Sequence, residues 1–451
     1  MSGRGSGGAR EGSLDAPTRH ALAWQEPAFW DEALLDAELE RIFDICHGCR
    51  RCFSLCNAFP VLFDHVDETP TGEVAAVPRA ARWEVVDHCY LCDMCYMSKC
   101  PYVPPHPWNV DFPPLMLRAK AQRNRSEGVP LRDRLLSSTD VVGRIAGIPV
   151  VREIVNATNR SRTGRRLLEG VFGVHREAPL PGFHAAFRAR EARREKPALE
   201  ATPAAGTTGR VAVFTTCYGN RNEPQIVDDL VAVLEHNGIP VALAAKERCC
   251  GMPKLELGDL AAVAKLKEEN VPALAAMVAG GYDILAAVPS CVLMFKQELP
   301  LLYPEDPEVK AVAEHTFDPF EYLMLRHSER KLRTDFTNPL GKVAYHVPCH
   351  LRVQAIGFKT RELLSLVPGT QLVTIERCSG HDGTYAVKRE YREVSMKIAK
   401  PVVERVAAAG ADHFASDCPM AAAQIASGLP GGPAAEHPLS LLRHAYGIPA
   451  R

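Results

Sequence analysis

At 451 residues the sequence is too long for one small domain and has room for roughly two to four domains of ordinary size. Hydrophobic residues make up 46% and charged residues 24%, with a formal net charge of -1, which is the balance of a soluble globular protein and argues against a nucleic-acid partner. Fifteen cysteines with no apolar secretory segment argue against an extracellular disulfide framework and predict thiols kept reduced in the cytoplasm, and apolar stretches such as Ile284 to Phe295 fall short of the ~18–20 residues of a membrane-spanning helix.

In chain order, residues 1 to 15, rich in Gly, Ser and Arg, read as a disordered tail. Leu34, Leu35, Leu39, Ile42 and Phe43 then recur at helical spacing, so a helix leads into the first cysteine run. That run, CHGCRRCFSLC, sets Cys46, Cys49, Cys52 and Cys56 as C-x2-C-x2-C-x3-C. The second, CYLCDMCYMSKCP, sets Cys89, Cys92, Cys95 and Cys100 as C-x2-C-x2-C-x4-C-P. Three closely spaced thiolates can wrap three corners of a cubane while the fourth comes from elsewhere, and in two-cluster ferredoxins the fourth cysteine of each run ligates the other cluster. The spacing therefore predicts two [4Fe-4S] clusters, one on Cys46, Cys49, Cys52 and Cys100 and one on Cys89, Cys92, Cys95 and Cys56. Zinc knuckles use paired cysteines, and two full triplets with distal fourth members fit them poorly. Asn57 stands where proline often follows such a run, and the second run has one extra residue before Cys100. His47 and His88 are expected to make hydrogen bonds beside the ligands.

Residues 131 to 196 carry thirteen Arg and one Lys against seven Asp plus Glu, an excess of 14 - 7 = +7. Within this basic connector Leu167, Leu168, Val171 and Phe172 follow Arg165 and Arg166 in the pattern of a basic amphipathic helix, which predicts either attraction to an anionic membrane surface or an acidic partner, or a linker helix packed on its own domain with its arginines solvated or paired to carboxylates. After a linker at 196 to 208, short apolar runs alternate with helical segments: VAVFTT, a helix near 224 to 237, PVALAA, a helix near 258 to 280, and DILAAV. This is the signature of a parallel, doubly wound α/β sheet. The pattern recurs after about 130 residues: GKVAYHVPC at 341 to 349 resembles GRVAVFTTC at 209 to 217, ERCSG at 376 to 380 repeats ERCCG at 247 to 251, and GADHFASDC at 410 to 418 answers GYDILAAVPSC at 281 to 291. Cys217 and Cys349 follow the first strand of each half, Cys249 and Cys378 the second, Cys291 and Cys418 the third. Loops at the carboxyl ends of adjacent parallel strands converge on a crevice, so these cysteines are expected to meet at one site per half.

With the two runs, the segments NVDFPPLMLRAKAQ, VHREAPLPGFH, ERCCGMP, PSCVLMFKQELP, ERCSGHDGTYAVK and HPLSLL make the chain, from about 30 to 448, resemble the CCG-domain iron-sulfur proteins. This family includes the C subunit of anaerobic glycerol-3-phosphate dehydrogenase, the iron-sulfur subunit of glycolate oxidase and heterodisulfide reductase subunits. The resemblance implies a helical ferredoxin-like domain at 30 to 125, the connector at 126 to 208, and two Rossmann-like CCG domains at 209 to 330 and 340 to 448. It also implies a CCG pattern of a single cysteine, a CC pair and a closing C-x-x-C at a metal site. The first half keeps Cys217, Cys249, Cys250 and Cys291, with Val288 in place of the first closing cysteine. The second keeps Cys349, Cys378 and Cys418, with Ser379 and Ala421 at the other places. His346, His350, His381, Asp382 and His413 lie near the second set in sequence, as replacement ligands or as loop residues in structural hydrogen bonds.

No glycine-rich dinucleotide fingerprint follows a predicted strand, so clusters that move single electrons are present without a group that takes hydride. The expected function is an electron-transfer subunit or hub between a partner flavoprotein dehydrogenase and quinone or another acceptor, in the cytoplasm or peripheral on the inner face of the cell membrane. Two other readings are a heterodisulfide-reductase-like thiol, disulfide or peroxide-linked oxidoreductase, weakened by the three missing cysteines, and an iron-sulfur redox sensor, weakened by the lack of a DNA-recognition stretch.

Overall fold

The computed structural model describes residues 17 to 449 except Lys99, Ala205 and Lys246. The tail expected at 1 to 15 lies outside the described residues. The chain divides between Ser126 and Glu127 into two compact units.

The N-terminal unit is built of helices. The helix Glu32–Cys49 begins where the Asp31 carboxylate accepts the amide of Leu34 at 2.9 Å, giving a partner to one of the amides that a helix start leaves unpaired. Leu35, Leu39, Ile42 and Phe43 form its buried face, while Leu34 stays exposed. They pack with Phe59, Leu62 and Phe63 of Ala58–Asp67, Val85 and Val86 of Arg79–Asp87, and Phe112, Leu115 and Met116 of Phe112–Glu127. Each such side chain contributes about 1.5–3 kcal/mol by leaving water. The first helix stops at Arg50, whose left-handed backbone (φ 49°) turns the chain just after Cys49.

The C-terminal unit is mixed α/β with two four-stranded parallel sheets. Strands β1 (Val211–Val213), β2 (Val241–Leu243), β3 (Asp283–Leu285) and β4 (Thr316–Phe317) lie in the order β2-β1-β3-β4. Strands β5 (Lys342–His346), β6 (Gln371–Ile375), β7 (His413–Ser416) and β8 (Ala435–Glu436) repeat it as β6-β5-β7-β8. In the first sheet Val211 pairs with both Val241 and Asp283; in the second Val343 pairs with Leu372 and His413. The helices Pro224–His236 and Leu260–Ala279 follow β1 and β2 as the alternation of the sequence predicts. β1 and β5 each have neighbours on both sides, so their carboxyl ends open at the switch point of the sheet, where parallel α/β folds form their crevices.

The two halves share one core, in which Val211, Val213 and Leu285 join Val343, Tyr345 and Ala415. The last helix, Pro438–Ala445, returns to the first half and packs on Pro224–His236, where buried Arg443 donates to Asp229 at 2.7 Å.

The basic stretch belongs to this same unit and forms the helices Leu131–Ser137, Thr139–Ala146, Pro149–Arg160 and Arg162–Phe172. The last of these is the basic amphipathic helix that the sequence predicts. Arg165 and Glu169 make its buried face, whereas Leu167 and Val171 are 65% and 63% exposed. The cause is the chain beyond Gly173, which folds back so that the Arg165 guanidinium donates to the carbonyls of Arg176 at 3.0 Å, His175 at 2.8 Å and Ala178 at 2.5 Å. Three otherwise orphaned carbonyls draw the guanidinium inward, while of the apolar stripe Phe172 packs against Val174 and Ala178 and Leu167 and Val171 stay on the surface. No helix among the described residues is long and apolar enough to cross a membrane.

Candidate metal centres

Cys46, Cys49, Cys52 and Cys100 line one pocket with Ile45, Arg51, Phe59, Pro101, Tyr102 and Val110. Burial pushes the Cys46 thiol well above its ordinary range, and nearby Cys100, Cys52 and Cys49 add to the rise. Around Cys95, burial acts first and then Cys89, Cys92 and Cys56, with Cys52 last. Each triplet thus stands with the fourth cysteine of the other run.

Local backbone sets this crossing. Leu91 (φ 55°) and Asp93 (φ 60°) are both left-handed on either side of Cys92. Left-handed backbone at non-glycine residues is uncommon and worth about 1–3 kcal/mol of strain where the surroundings enforce it. Asp93 is held by Arg19, which donates to it at 2.6 and 3.0 Å. At the end of the second run the Cys100 amide bonds the carbonyl of Cys95, five residues back. Asn57 and His88, each next to a cysteine of a different run, meet side chain to side chain at 3.1 Å. His47 lies against Asp67 at 3.4 Å.

In the C-terminal unit Cys217 opens the helix Cys217–Arg221 after β1, Cys249 and Cys250 lie in the loop after β2, and Cys291 lies in Pro289–Leu293 after β3. Cys217 acts on Cys249, Cys250 on Cys249, and Cys291 on Cys250, so the four thiols adjoin one another. Cys249 is the acceptor of the group. Donation from Cys217 and Cys250, and then from the Gly251 amide and the Thr139 hydroxyl, holds its thiol well below the ordinary range against burial. Thr139 Oγ1 donates to Cys217 Sγ at 3.0 Å and Cys249 Sγ at 3.6 Å. Asn270 fixes the same loop, accepting the Arg248 amide at 2.9 Å and donating to the Cys249 carbonyl at 3.0 Å. Just before Cys217, buried Thr216 has φ 64° and ψ 156°, a region almost reserved for glycine, and its side chain caps the helix by accepting the Gly219 amide at 2.9 Å. Val288 is buried and fills the missing cysteine's place with apolar surface.

In the second half Cys349 follows β5, Cys378 follows β6 and Cys418 follows β7. Burial pushes all three thiols up, Cys378 and Cys418 to about 11. On Cys349 the next influences are Cys378, Cys418 and Asp382, so the three sulfurs and that carboxylate are neighbours. The histidines separate clearly. His346 is engaged at both ring nitrogens, with Ser416 Oγ and the Arg377 carbonyl, each at 2.9 Å. His413 lies at the amino end of β7, away from Cys418, against Glu436 at 2.7 Å. His350 faces Ser290 of the first half at 2.8 Å. His381 Nε2 is buried without a hydrogen-bond partner. Tyr218 adjoins both groups, its hydroxyl raised by burial first and then by Glu223, Cys418 and Cys217. Among the described residues no three Cys, His, Asp or Glu side chains meet at the spacing of a single metal ion.

The family of the cysteine-rich domain named CCG matches residues 211–296 and 343–426, one match per half. The C subunit of anaerobic glycerol-3-phosphate dehydrogenase from Escherichia coli K12 is 30% identical over 345 residues, spanning 75% of this chain and 83% of that protein. This chain belongs to the CCG-domain iron-sulfur proteins. The B subunit of a fumarate reductase (CoM/CoB) from Methanothermobacter marburgensis is 25% identical over 401 residues, 85% of this chain and 68% of that one. An uncharacterized iron-sulfur protein of Methanocaldococcus jannaschii is 27% identical over 233 residues, 50% of this chain and 43% of its own length.

Both CCG halves reach beyond their cysteines in ways the motifs do not announce. Thr139 and Asn270 touch the first group from helices that carry no cysteine, and a lone threonine in a basic stretch has no sequence signature. Ser290 and His350, by contrast, each adjoin a cysteine of a different half, a proximity that the repeat alignment makes readable.

Proposed function

We propose that this chain is the electron-transfer subunit of a redox complex, carrying two [4Fe-4S] clusters in its N-terminal unit and further iron-sulfur chemistry at the CCG halves. The observation that carries the reading is the exchange of fourth cysteines, Cys100 with Cys46, Cys49 and Cys52, and Cys56 with Cys89, Cys92 and Cys95. Eight thiols in two such sets fit two cubanes in a ferredoxin-like helical domain spanning about 30 to 125. Four thiols at the first CCG half, with amide and hydroxyl donors already turned on Cys249, suit a cluster whose sulfurs take hydrogen bonds. Such clusters supply one-electron transfer. The donor is a flavoprotein dehydrogenase and the acceptor quinone or another redox group, in keeping with relatives named as subunits of a dehydrogenase and a reductase. Anaerobic purification followed by iron and acid-labile sulfide analysis and EPR tests this. Zinc without labile sulfide in the N-terminal sites would sink it.

A surface of the basic helices supports a peripheral place on the inner face of the cell membrane. Among the described residues nine of the twelve exposed large apolar side chains lie between Leu131 and Val171, Ile145, Val150 and Ile154 among them. Exposed Arg134, Arg144, Arg160, Arg162 and Arg166 share these helices. Apolar side chains with a surplus of arginine match the boundary of an anionic bilayer, which also holds quinone. Flotation with anionic and neutral liposomes tests it, and binding that is absent or indifferent to lipid charge would remove the membrane from the reading.

A further inference from the structure

The second CCG half has three cysteines where four ligands complete an iron-sulfur site, and the structure narrows the source of the fourth. Ser379 and Ala421 stand in the missing cysteines' places, and neither offers a soft or strongly basic donor. His346 has both nitrogens engaged and His413 is at the wrong end of its strand, while His350, bonded to Ser290 through Nδ1, and Asp382, beside Cys349, each have further partners. His381 differs from all of them, since its Nε2 is buried and has no partner. A buried imidazole nitrogen left unpaired is unfavourable unless something binds it.

The loop that carries His381 is held in a metal-knuckle form. Cys378 and His381 are three residues apart, the close ligand spacing that lets one turn present two donors to one centre. Gly380 makes the turn at φ +67°, its amide donates to Cys378 Sγ at 3.3 Å, and the His381 amide donates to Ser379 Oγ at 3.4 Å. The Gly380 carbonyl accepts Ser395 Oγ at 2.7 Å, which pins the turn to the helix behind it. After burial, His350 and Arg392 are what act on the His381 ring, so it lies near both, His350 being the sequence neighbour of Cys349.

We propose that His381 binds through Nε2 as the fourth ligand, with Cys349, Cys378 and Cys418, of an iron-sulfur cluster in the second CCG half. The proposal rests on the reading that the CCG halves hold iron-sulfur chemistry. It makes the second half a three-thiolate, one-imidazole centre. Such a centre carries one less negative charge than a four-thiolate site, so it is the easier of the two to reduce.

The test uses the full chain, anaerobically reconstituted with iron and sulfide and labelled with 15N-histidine. Pulsed EPR of the reduced protein should show strong coupling to a directly bound nitrogen. His381→Gln should remove that coupling and the iron of one cluster, and His381→Cys should remove the coupling while keeping the iron. Cys378→Ser serves as the reference for loss of the centre. If Cys378→Ser lowers iron but the wild type shows no bound nitrogen, or His381→Gln leaves the coupling unchanged, His381 is not the ligand although a cluster is there. If Cys378→Ser and His381→Gln both keep full iron, or the half takes zinc instead, the iron-sulfur reading of this half falls and the proposal with it.

Discussion

Thr139 shows how one side chain reaches a cysteine group from outside the cysteine motifs. Its hydroxyl reaches Cys217 Sγ at 3.0 Å and Cys249 Sγ at 3.6 Å. A hydrogen bond to a cluster sulfur stabilises the more negative, reduced state, so its loss lowers the reduction potential. Thr139→Val should therefore lower the midpoint potential of the first CCG centre in a redox titration followed by EPR, and Thr139→Ser should restore most of it. An unchanged potential in the valine variant would show that the hydroxyl only fills space. Gly380 gives a second prediction. It has φ +67°, and a Cβ there would come within 2.2 Å of the Ser395 carbonyl. Gly380→Ala should destabilise the protein by about 1–3 kcal/mol from backbone strain, with the clash in addition, seen as a lower thermal midpoint by circular dichroism. Residues of this scale divide by how legible they are. The cysteines were readable because metal chemistry fixes both type and spacing, whereas Thr139 and Asn270 act through tertiary approach, which no spacing encodes.

Among the elements, the first three strands of each sheet were legible although some are only three residues long, because VAV and DIL are fully buried within apolar runs, whereas the two-residue strands β4 and β8 have no such run to mark them. The helix Arg162–Phe172 was legible as a basic amphipathic helix, but the burial of its Arg165 was not. Its periodicity marks an apolar stripe, but periodicity is silent about a guanidinium that three carbonyls of the following loop draw inward. That geometry separates stability from surface binding. Arg165→Ala strands those carbonyls and should cost roughly 1–3 kcal/mol per group left without water or another donor. Leu167→Glu with Val171→Glu alters only exposed positions, and should leave the thermal midpoint nearly unchanged while reducing flotation with anionic liposomes. Loss of stability in the double glutamate variant would mean that these side chains are structural.

At the scale of the whole molecule the sequence carries two different kinds of duplication, and they behave differently. The CCG repeat is a duplication of fold: strand order β2-β1-β3-β4 recurs as β6-β5-β7-β8, and the two sheets share a core. Its cysteine sets have diverged to four in one half and three in the other. The N-terminal runs are a duplication of cysteines, and there each triplet stands with the fourth cysteine of its counterpart. The exchange makes a prediction that separate, self-contained sites would not share. If each cluster takes its fourth thiolate from the other run, Cys56→Ser should weaken the cluster of Cys89, Cys92 and Cys95, and adding Cys89→Ser should remove little more iron than Cys89→Ser alone. Cys100→Ser combined with Cys89→Ser strikes both clusters, and iron should fall toward a loss of about eight atoms, two cubanes of four each. Self-contained runs would give the reverse, with Cys56→Ser plus Cys89→Ser losing both clusters and Cys100→Ser plus Cys89→Ser losing one. Iron and labile sulfide per chain in the four single and double variants, measured anaerobically against wild type, decides between the two patterns.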